Sequence, residues 1–384
     1  MARRSAASRA DSGSPSVAER LRLLAALDAD GENAIVQADG HAVAVTHLDR
    51  IYWPPDNDLQ QAAISKRDFL RYLVEVGAAM LPHLRDRPLT LFRWPEGISG
   101  RRVLEKHWNI ALPSFIERVD VFSDAKGHRD QYILCNNLAT LLWLAQMGTL
   151  EFHAWHSRIT PGIDAANASV DFASSAQALE ASILERPDYI LFDIDPFIYA
   201  GHEPKGREPA FNAQAFAKAK AVAVALESVL AGIGLRALVK TSGKTGLHVI
   251  VPIRRTLRFD AVREMAHFIG ERLMRAHPQD ITLDWSVEKR TGKVFLDTNM
   301  NVRGKSMSVA WSPRGLAGAP VSTPLGWREL SDASPIDFRL TTVVPMLKHR
   351  GDAWAGWLAH PQSIEDVLSR DISHSVNPRT RQHR

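Results

Sequence analysis

The sequence predicts a mixed α/β or α+β fold. Three observations carry this reading. Segments with apolar residues at helical spacing alternate along the chain with short apolar or alternating runs, Gly and Pro punctuate the junctions, and no internal repeat appears. The 384 residues are 45% hydrophobic and 23% charged, with 23 Gly and 21 Pro. This ordinary composition excludes collagen-like and wholly disordered chains. The length suits one large domain or two packed lobes.

Taken in order, residues 1–18 are rich in Ser, Ala and Arg and read as disordered, with a short helix over Val17 to Leu27. A basic tail is expected over 1–35, a catalytic domain over 36–356 and a second basic tail over 357–384. Ala42 to Thr46 alternates as a strand. Ser65 caps a helix reaching about Leu84, with Phe69, Leu70, Leu73, Val74, Met80 and Leu81 at helical spacing. Leu89 to Trp94 reads as a strand, Asn137 to Met147 as an apolar helix ended by Gly148, and Leu150 to Trp155 as a strand. Tyr189 to Asp195 is a buried strand ending in acids, and residues 196–212 form a Gly/Pro-rich loop. A helix follows over Ala213 to Leu230, then strands at Leu235 to Thr241 and Leu247 to Ile253, and a helix at Asp260 to Ala276. Thr282 to Val287 and Lys293 to Thr298 read as a hairpin, and Met307 to Trp311 as a further strand.

Several classes are excluded. The single Cys135 allows neither an internal disulfide nor a thiolate zinc site and points to a reducing, cytoplasmic compartment. There is no apolar run of roughly 18 residues, the length of a membrane span, and no apolar stretch follows the Arg-bearing N-terminus to make a secretory signal. Net charge is +4, with 35 Arg and 12 Lys. Arg-rich ends, including Arg379, Arg381 and Arg384, read as merely solvated tails or, alternatively, as weak electrostatic arms for nucleic acid.

The chemistry concentrates in four places. In Leu191-Phe192-Asp193-Ile194-Asp195-Pro196, strand geometry puts Asp193 and Asp195 on one face. Two neighbouring carboxylates repel unless a cation sits between them, and hard oxygen donors suit a divalent metal. A strand merely ending in acids is the bland alternative. Val294-Phe295-Leu296-Asp297 offers a third carboxylate, and three carboxylates from two strands are a protein's share of a two-metal phosphoryl-transfer site. Otherwise Asp297 is a surface acid paired with Lys293 or Lys289. The turn Lys240-Thr241-Ser242-Gly243-Lys244-Thr245-Gly246-Leu247-His248 exposes backbone N–H groups able to cradle phosphate. It ends in G-K-T like a P-loop, but the earlier Gly is missing and a strand follows, so that reading is rejected. Lastly, Asn299 to Ser306 and Trp311 to Arg314 place amides and bases directly after the third acid. His153, alone on a strand, reads as structural by itself.

Together these motifs resemble the polymerase domain of bacterial DNA ligase D, in the archaeo-eukaryotic primase superfamily. The likeness runs from Val45-Thr46-His47-Leu48-Asp49-Arg50-Ile51-Tyr52-Trp53-Pro54 through Leu84 to Thr90, Asn137 to Ala145, the D-I-D-P strand, the T-S-G-x-x-G-L-H turn, Phe295-Leu296-Asp297 and Gly318 to Leu325. It implies an α+β primase-polymerase fold of two packed mixed lobes, with the active site in the cleft between their sheets. By that resemblance Asp193, Asp195 and Asp297 would hold two Mn²⁺ or Mg²⁺ ions. His153, Ser242, Gly243, Lys244, His248, Lys305 and Arg314 would contact the incoming NTP or dNTP. Arg50 and Lys66 would hold the 5′-phosphate of a gap or broken end, and Arg93 and Lys106 would line the template side. The family extends primers at gaps and double-strand breaks in end joining with the Ku protein. Where many relatives carry two Phe on the template-side loop, this chain has Val103 and Leu104. No K-x-D-G ligase motif is present, so the expected ligase is a separate protein. A non-catalytic DNA-end-binding scaffold and a two-metal nuclease stay open as alternatives.

Overall fold

A computed structural model describes residues 16–365 except 109, 124–126, 166, 200, 202 and 204–210. The elements follow the local signals closely. Ser65 and Asp68 form a reciprocal cap: the Ser65 hydroxyl accepts from the Asp68 amide at 3.2 Å, and Asp68 accepts from the Ser65 amide at 2.9 Å. The helix Lys66–Leu84 follows, burying Phe69, Leu70, Leu73, Val74, Met80 and Leu81. Asn137 likewise caps Leu138–Gln146, whose residues are almost all buried, in keeping with an all-round apolar sequence.

Two sheets face each other. The four-stranded sheet runs, edge to edge, Ser306–Ser308, Thr149–Trp155, Leu89–Arg93 and Val103–Glu105, all antiparallel. Helices Lys66–Leu84 and Leu138–Gln146 pack together, the second also against strand Thr149–Trp155. The six-stranded sheet runs Ile281–Thr282, Val294–Asp297, Tyr189–Pro196, Leu247–Pro252, Leu238–Thr241 and Pro324–Leu325. Helices Ala213–Gly232 and Phe259–Ala276 cover one of its faces, over Ile194, Leu296 and Leu247, all fully buried. Two packed lobes with a cleft between their sheets is the architecture expected. A buried ion pair fastens the lobes: Arg87 from the first donates to both carboxylate oxygens of Asp188 at 2.8 and 3.0 Å, and Arg158 donates to Asp188 at 2.6 Å.

Three expectations need correction. Residues 1–35 are not all tail, because Val17–Asp28 is a helix whose Leu23 and Leu27 are buried in the main core. Its Ser16 cap and its helical apolar spacing outweigh the polar composition. At the other end, Ile364 is buried and Gln362 bridges to Ile253, so the fold continues past 356. Residues 1–15, 366–384 and most of the loop at 196–212 lie outside the described residues. The third correction is the supposed hairpin. Ile281–Thr282 and Val294–Asp297 pair in parallel, joined through the short helix Val287–Arg290. Arg290 holds this crossover, donating to the carbonyls of Asp284 and Trp285 and lying 3.6 Å from the centre of the Phe295 ring.

Candidate active site

Sheet register builds the site. Asp193 pairs directly with Asp297 on one side and with His248 on the other, and His248 pairs with Lys240. Four adjacent strands therefore present Asp297, Asp193, His248 and Lys240 as one cross-strand row on the face opposite the helices. Directly paired residues lie ~4.5–5.5 Å apart at Cα, so the distant third acid does meet the first. Asp195, two residues along, occupies the same face beside Phe295.

The row is a graded charge array. His248 Nε2 lies 3.2 Å from Asp193 Oδ1, and Lys240 Nζ lies 2.7 Å from His248 Nδ1. Lys240 is fully buried and also donates to the Ser322 hydroxyl. Burial pushes the Lys240 ammonium well below its ordinary range, with the Arg314 charge adding to the shift. His248 falls to about 4, from burial first and the Lys240 charge second. Burial works against the Asp193 charge, but His248, Lys240 and Arg314 outweigh it and hold the carboxyl below the usual carboxylate range. Asp297 moves the other way, raised by burial and by the Asp193 charge. Neither Lys289 nor Lys293 pairs with it: Lys289 binds Asp284 at 2.8 Å and Lys293 donates to the Pro278 carbonyl.

The turn above the row is shaped by two glycines. A Cβ on Gly246 would sit 2.3 Å from the Ile194 carbonyl oxygen and 3.1 Å from Asp195 Oδ1, so only Gly lets the turn lie against the acid strand. Gly243 has φ +75°, and a Cβ there would sit 2.7 Å from Arg314 Cγ. The Ser242 hydroxyl accepts the amides of Lys244 and Gly246 at 3.1 and 3.2 Å.

The facing sheet supplies the other wall. Glu151 Oε2 lies 3.2 Å from both His153 Nε2 and Arg314 Nε, and Glu151 Oε1 accepts the Gly315 amide at 3.0 Å. Burial opposes the Glu151 charge, yet Arg314, His153 and that amide hold the carboxyl far below its usual range. Burial lowers His153 to about 4 against the pull of Glu151. Arg314 crosses the cleft and donates to the Ser242 carbonyl at 2.7 Å.

One cleft is thus lined by His153, Asp193, Asp195, Ser242, Lys244, His248 and Arg314, together with Met300 and Ser306 to Ser308. Gly243 faces an adjoining apolar groove that shares Lys244 and Thr245. Lys305 is exposed, with its charge reaching Asp297. The remaining expected residues lie elsewhere. Arg50 donates to the Pro95 carbonyl, and Lys66, buried, donates to the carbonyls of Thr46 and Gln146 at 2.9 Å each. Both surround Tyr52, whose hydroxyl is buried without a hydrogen-bond partner and which also feels the Arg93 charge. Arg93 is tied down as a brace, donating to the Met147 carbonyl at 2.9 Å, pairing with Glu105 and stacking 4.4 Å from the Trp108 ring centre. Lys106 is exposed just past the edge strand. Lys240 backs His248, and Glu151 backs His153 and Arg314; neither is among the site residues expected from sequence. Counting back from a symmetric turn sets Lys240 opposite His248, so that signal was available. Nothing local marks Glu151.

The donor set suits hard divalent cations. Three carboxylates occupy adjacent positions, and Asp193 Oδ1 is a buried oxygen without a hydrogen bond despite the nearby imidazole. Among the described residues no three His, Cys, Asp or Glu side chains close on a single point, so the acids form an open row and not a preformed cage.

Residues 65–354 match the family model for the LigD primase-polymerase domain. The multifunctional non-homologous end joining protein LigD of Pseudomonas aeruginosa is 28% identical over 334 residues, covering 86% of this chain and 34% of that protein. The bifunctional LigD of Bacillus subtilis is 26% identical over 319 residues, covering 83% of this chain and 44% of that protein. The chain therefore spans less than half the length of these relatives. The polymerase domain of Mycobacterium tuberculosis ligase D, solved in complex with DNA, superposes with a TM-score of 0.68 at 25% identity, covering 83% of this chain and 99% of that one.

Proposed function

The chain belongs to the LigD primase-polymerase domain family, and from that premise we propose that it is a template-directed nucleotidyltransferase extending primer 3′ ends at DNA gaps and double-strand breaks. The observation that carries the reading is the single row Asp297–Asp193–His248–Lys240, with Asp195 beside it, set under a phosphate-cradling turn. In the reaction proposed, the primer 3′-hydroxyl attacks the α-phosphate of an NTP or dNTP in line and pyrophosphate leaves. Asp193, Asp195 and Asp297 would hold two Mn²⁺ or Mg²⁺ ions, which when bound neutralise developing charge and lower the pKa of the attacking hydroxyl. The protein's own contribution is placement. Lys244, Arg314 and the Ser242–Gly246 turn offer cationic and amide donors to the triphosphate, and His153, fixed by Glu151, stands toward the sugar. Ku and a DNA ligase are the partners this reading expects, in the cytoplasm at the nucleoid. Primer extension on 5′-phosphorylated gapped DNA with Mn²⁺ tests it. The primer should lengthen by templated nucleotides. A shortened primer would mean a nuclease, and an unchanged one would overturn the polymerase reading.

Two cations beside an unpartnered buried hydroxyl also support a 5′-phosphate pocket at Arg50 and Lys66, next to Tyr52. Burial and the Arg50 charge lower Lys66 to about 8. A lysine so depressed is charged below that pH and neutral above it, so the preference for a 5′-phosphate over a 5′-hydroxyl end should shrink as pH rises through about 8. Lys66→Met should abolish the preference and flatten the profile. The sign for folding is the reverse. The unfolded chain binds the extra proton between about 8 and the ordinary 10.5, so the wild type gains stability over that interval relative to Lys66→Met. End-binding titrations and thermal melts across this range check both.

A further inference from the structure

Lys244 and Thr245 of the phosphate-cradling turn line the cleft, and the same two residues line an adjoining groove of about 330 Å³. That volume falls at the lower end of small-molecule sites, ~300–1,000 Å³. Leu59, Leu316, Pro335 and Ile336 give the groove apolar walls, and among the described residues its only charged lining groups are the cations Lys244 and Arg339. Long-range packing shapes it. Arg339 donates to the Leu59 carbonyl at 3.1 Å, and its Nε is buried without a hydrogen-bond partner. Gly318, at φ +76°, brings its loop so close that a Cβ there would sit 2.6 Å from Leu59 Cδ1. Leu316 and Ile336 remain exposed.

An apolar groove with two cations and no acid suits a ligand whose apolar body is joined to an anion. Continuity with the cleft selects the anion. In the row Asp297–Asp193–His248–Lys240 the acids stand at one end, and the turn follows the strands of the other. On the nucleotidyltransferase reading, on which this inference rests, the α-phosphate lies over the acids and the rest of the polyphosphate runs toward the turn. Its terminal phosphate then comes to Lys244 and Thr245, where the groove begins. A terminal phosphate that carries an ester substituent has the groove ahead of it. We propose that the groove receives the second nucleoside of a dinucleoside polyphosphate, so that such molecules serve as nucleotide donors beside ordinary triphosphates. With diadenosine tetraphosphate, the primer 3′-oxygen bonds to the phosphorus next to one adenosine. The bond from that phosphorus to its bridging oxygen breaks, the hydroxyl proton passes to solvent, and ATP leaves in place of pyrophosphate.

The test is single-nucleotide incorporation, with Mn²⁺, on a 5′-phosphorylated gapped duplex with one templating thymine. ATP and diadenosine tetraphosphate are compared as donors, and luciferase measures the ATP released from the second. Wild type should use the two donors with kcat/KM within about tenfold of each other. Each nucleotide added from diadenosine tetraphosphate should release one ATP, which separates its cleavage from use of contaminating triphosphate. Ile336→Trp and Leu316→Trp each fill the groove from an exposed position without changing charge, and thermal melts confirm folding. Each should cut use of diadenosine tetraphosphate about tenfold or more and leave ATP incorporation unchanged. Three results overturn the groove assignment: a wild-type preference for ATP beyond about tenfold, undiminished use of diadenosine tetraphosphate in both variants, or equal loss of both donors. Incorporation from ATP by the wild type then shows that the polymerase reading stands. Failure of the wild type to extend the primer from either donor overturns both.

Discussion

Asp297→Asn is expected to abolish nucleotide incorporation, by roughly a thousandfold or more, while making the metal-free protein more stable. The two effects share one cause. Asp297 faces Asp193 across the strand pair, and both burial and that neighbouring charge make ionisation of Asp297 unfavourable. The amide keeps the shape and still accepts the Asn299 amide, now held at 2.8 Å by Asp297 Oδ1, while the repulsion goes. Like charges directly opposed in a sheet cost up to about 1 kcal/mol, so the gain should be of that order. Asp193→Asn should share the loss of incorporation with the opposite stability sign. Its carboxylate is held below the usual range by His248, Lys240 and Arg314, so removing it strands buried cations. Melts in chelator, read beside single-nucleotide incorporation, check the pair. Parallel stability changes in the two variants would contradict the charge array described above.

Gly246→Ala is expected to cost about 3 kcal/mol of stability and to depress incorporation steeply, although it adds one methyl group in a turn. The added carbon would overlap the Ile194 carbonyl oxygen and crowd Asp195 Oδ1, so the turn must lift from the acid strand and carry Ser242 and Lys244 with it. Gly232→Ala is the matched control. At the end of the helix Ala213–Gly232 its Cβ meets nothing within 4 Å, so helix propensity alone acts, and a gain of up to about 1 kcal/mol is expected. Urea denaturation of both variants, with incorporation measured alongside, separates a general intolerance of bulk from the specific close approach.

Much of this was written locally. Period-3.6 apolar spacing with Ser65 and Asn137 caps determined the two helices of the first lobe. The apolar run at Tyr189–Pro196 determined a buried strand, and its period of two put Asp193 and Asp195 on one face. These signals are legible because each depends only on neighbours within a turn or a pleat. The helical spacing that includes Leu23 and Leu27 was equally local and marked a short helix inside a segment otherwise read as tail. Tertiary structure alone decided the rest. Asp297 became the partner of Asp193 through strand pairing across roughly a hundred residues of chain. The supposed hairpin is a parallel crossover, with Arg290 seated over the Phe295 ring. Glu151 gained its partner only when Arg314 arrived from far along the chain. Sequence period specifies which side of an element a residue occupies. What stands opposite it depends on long-range pairing, which no local period encodes.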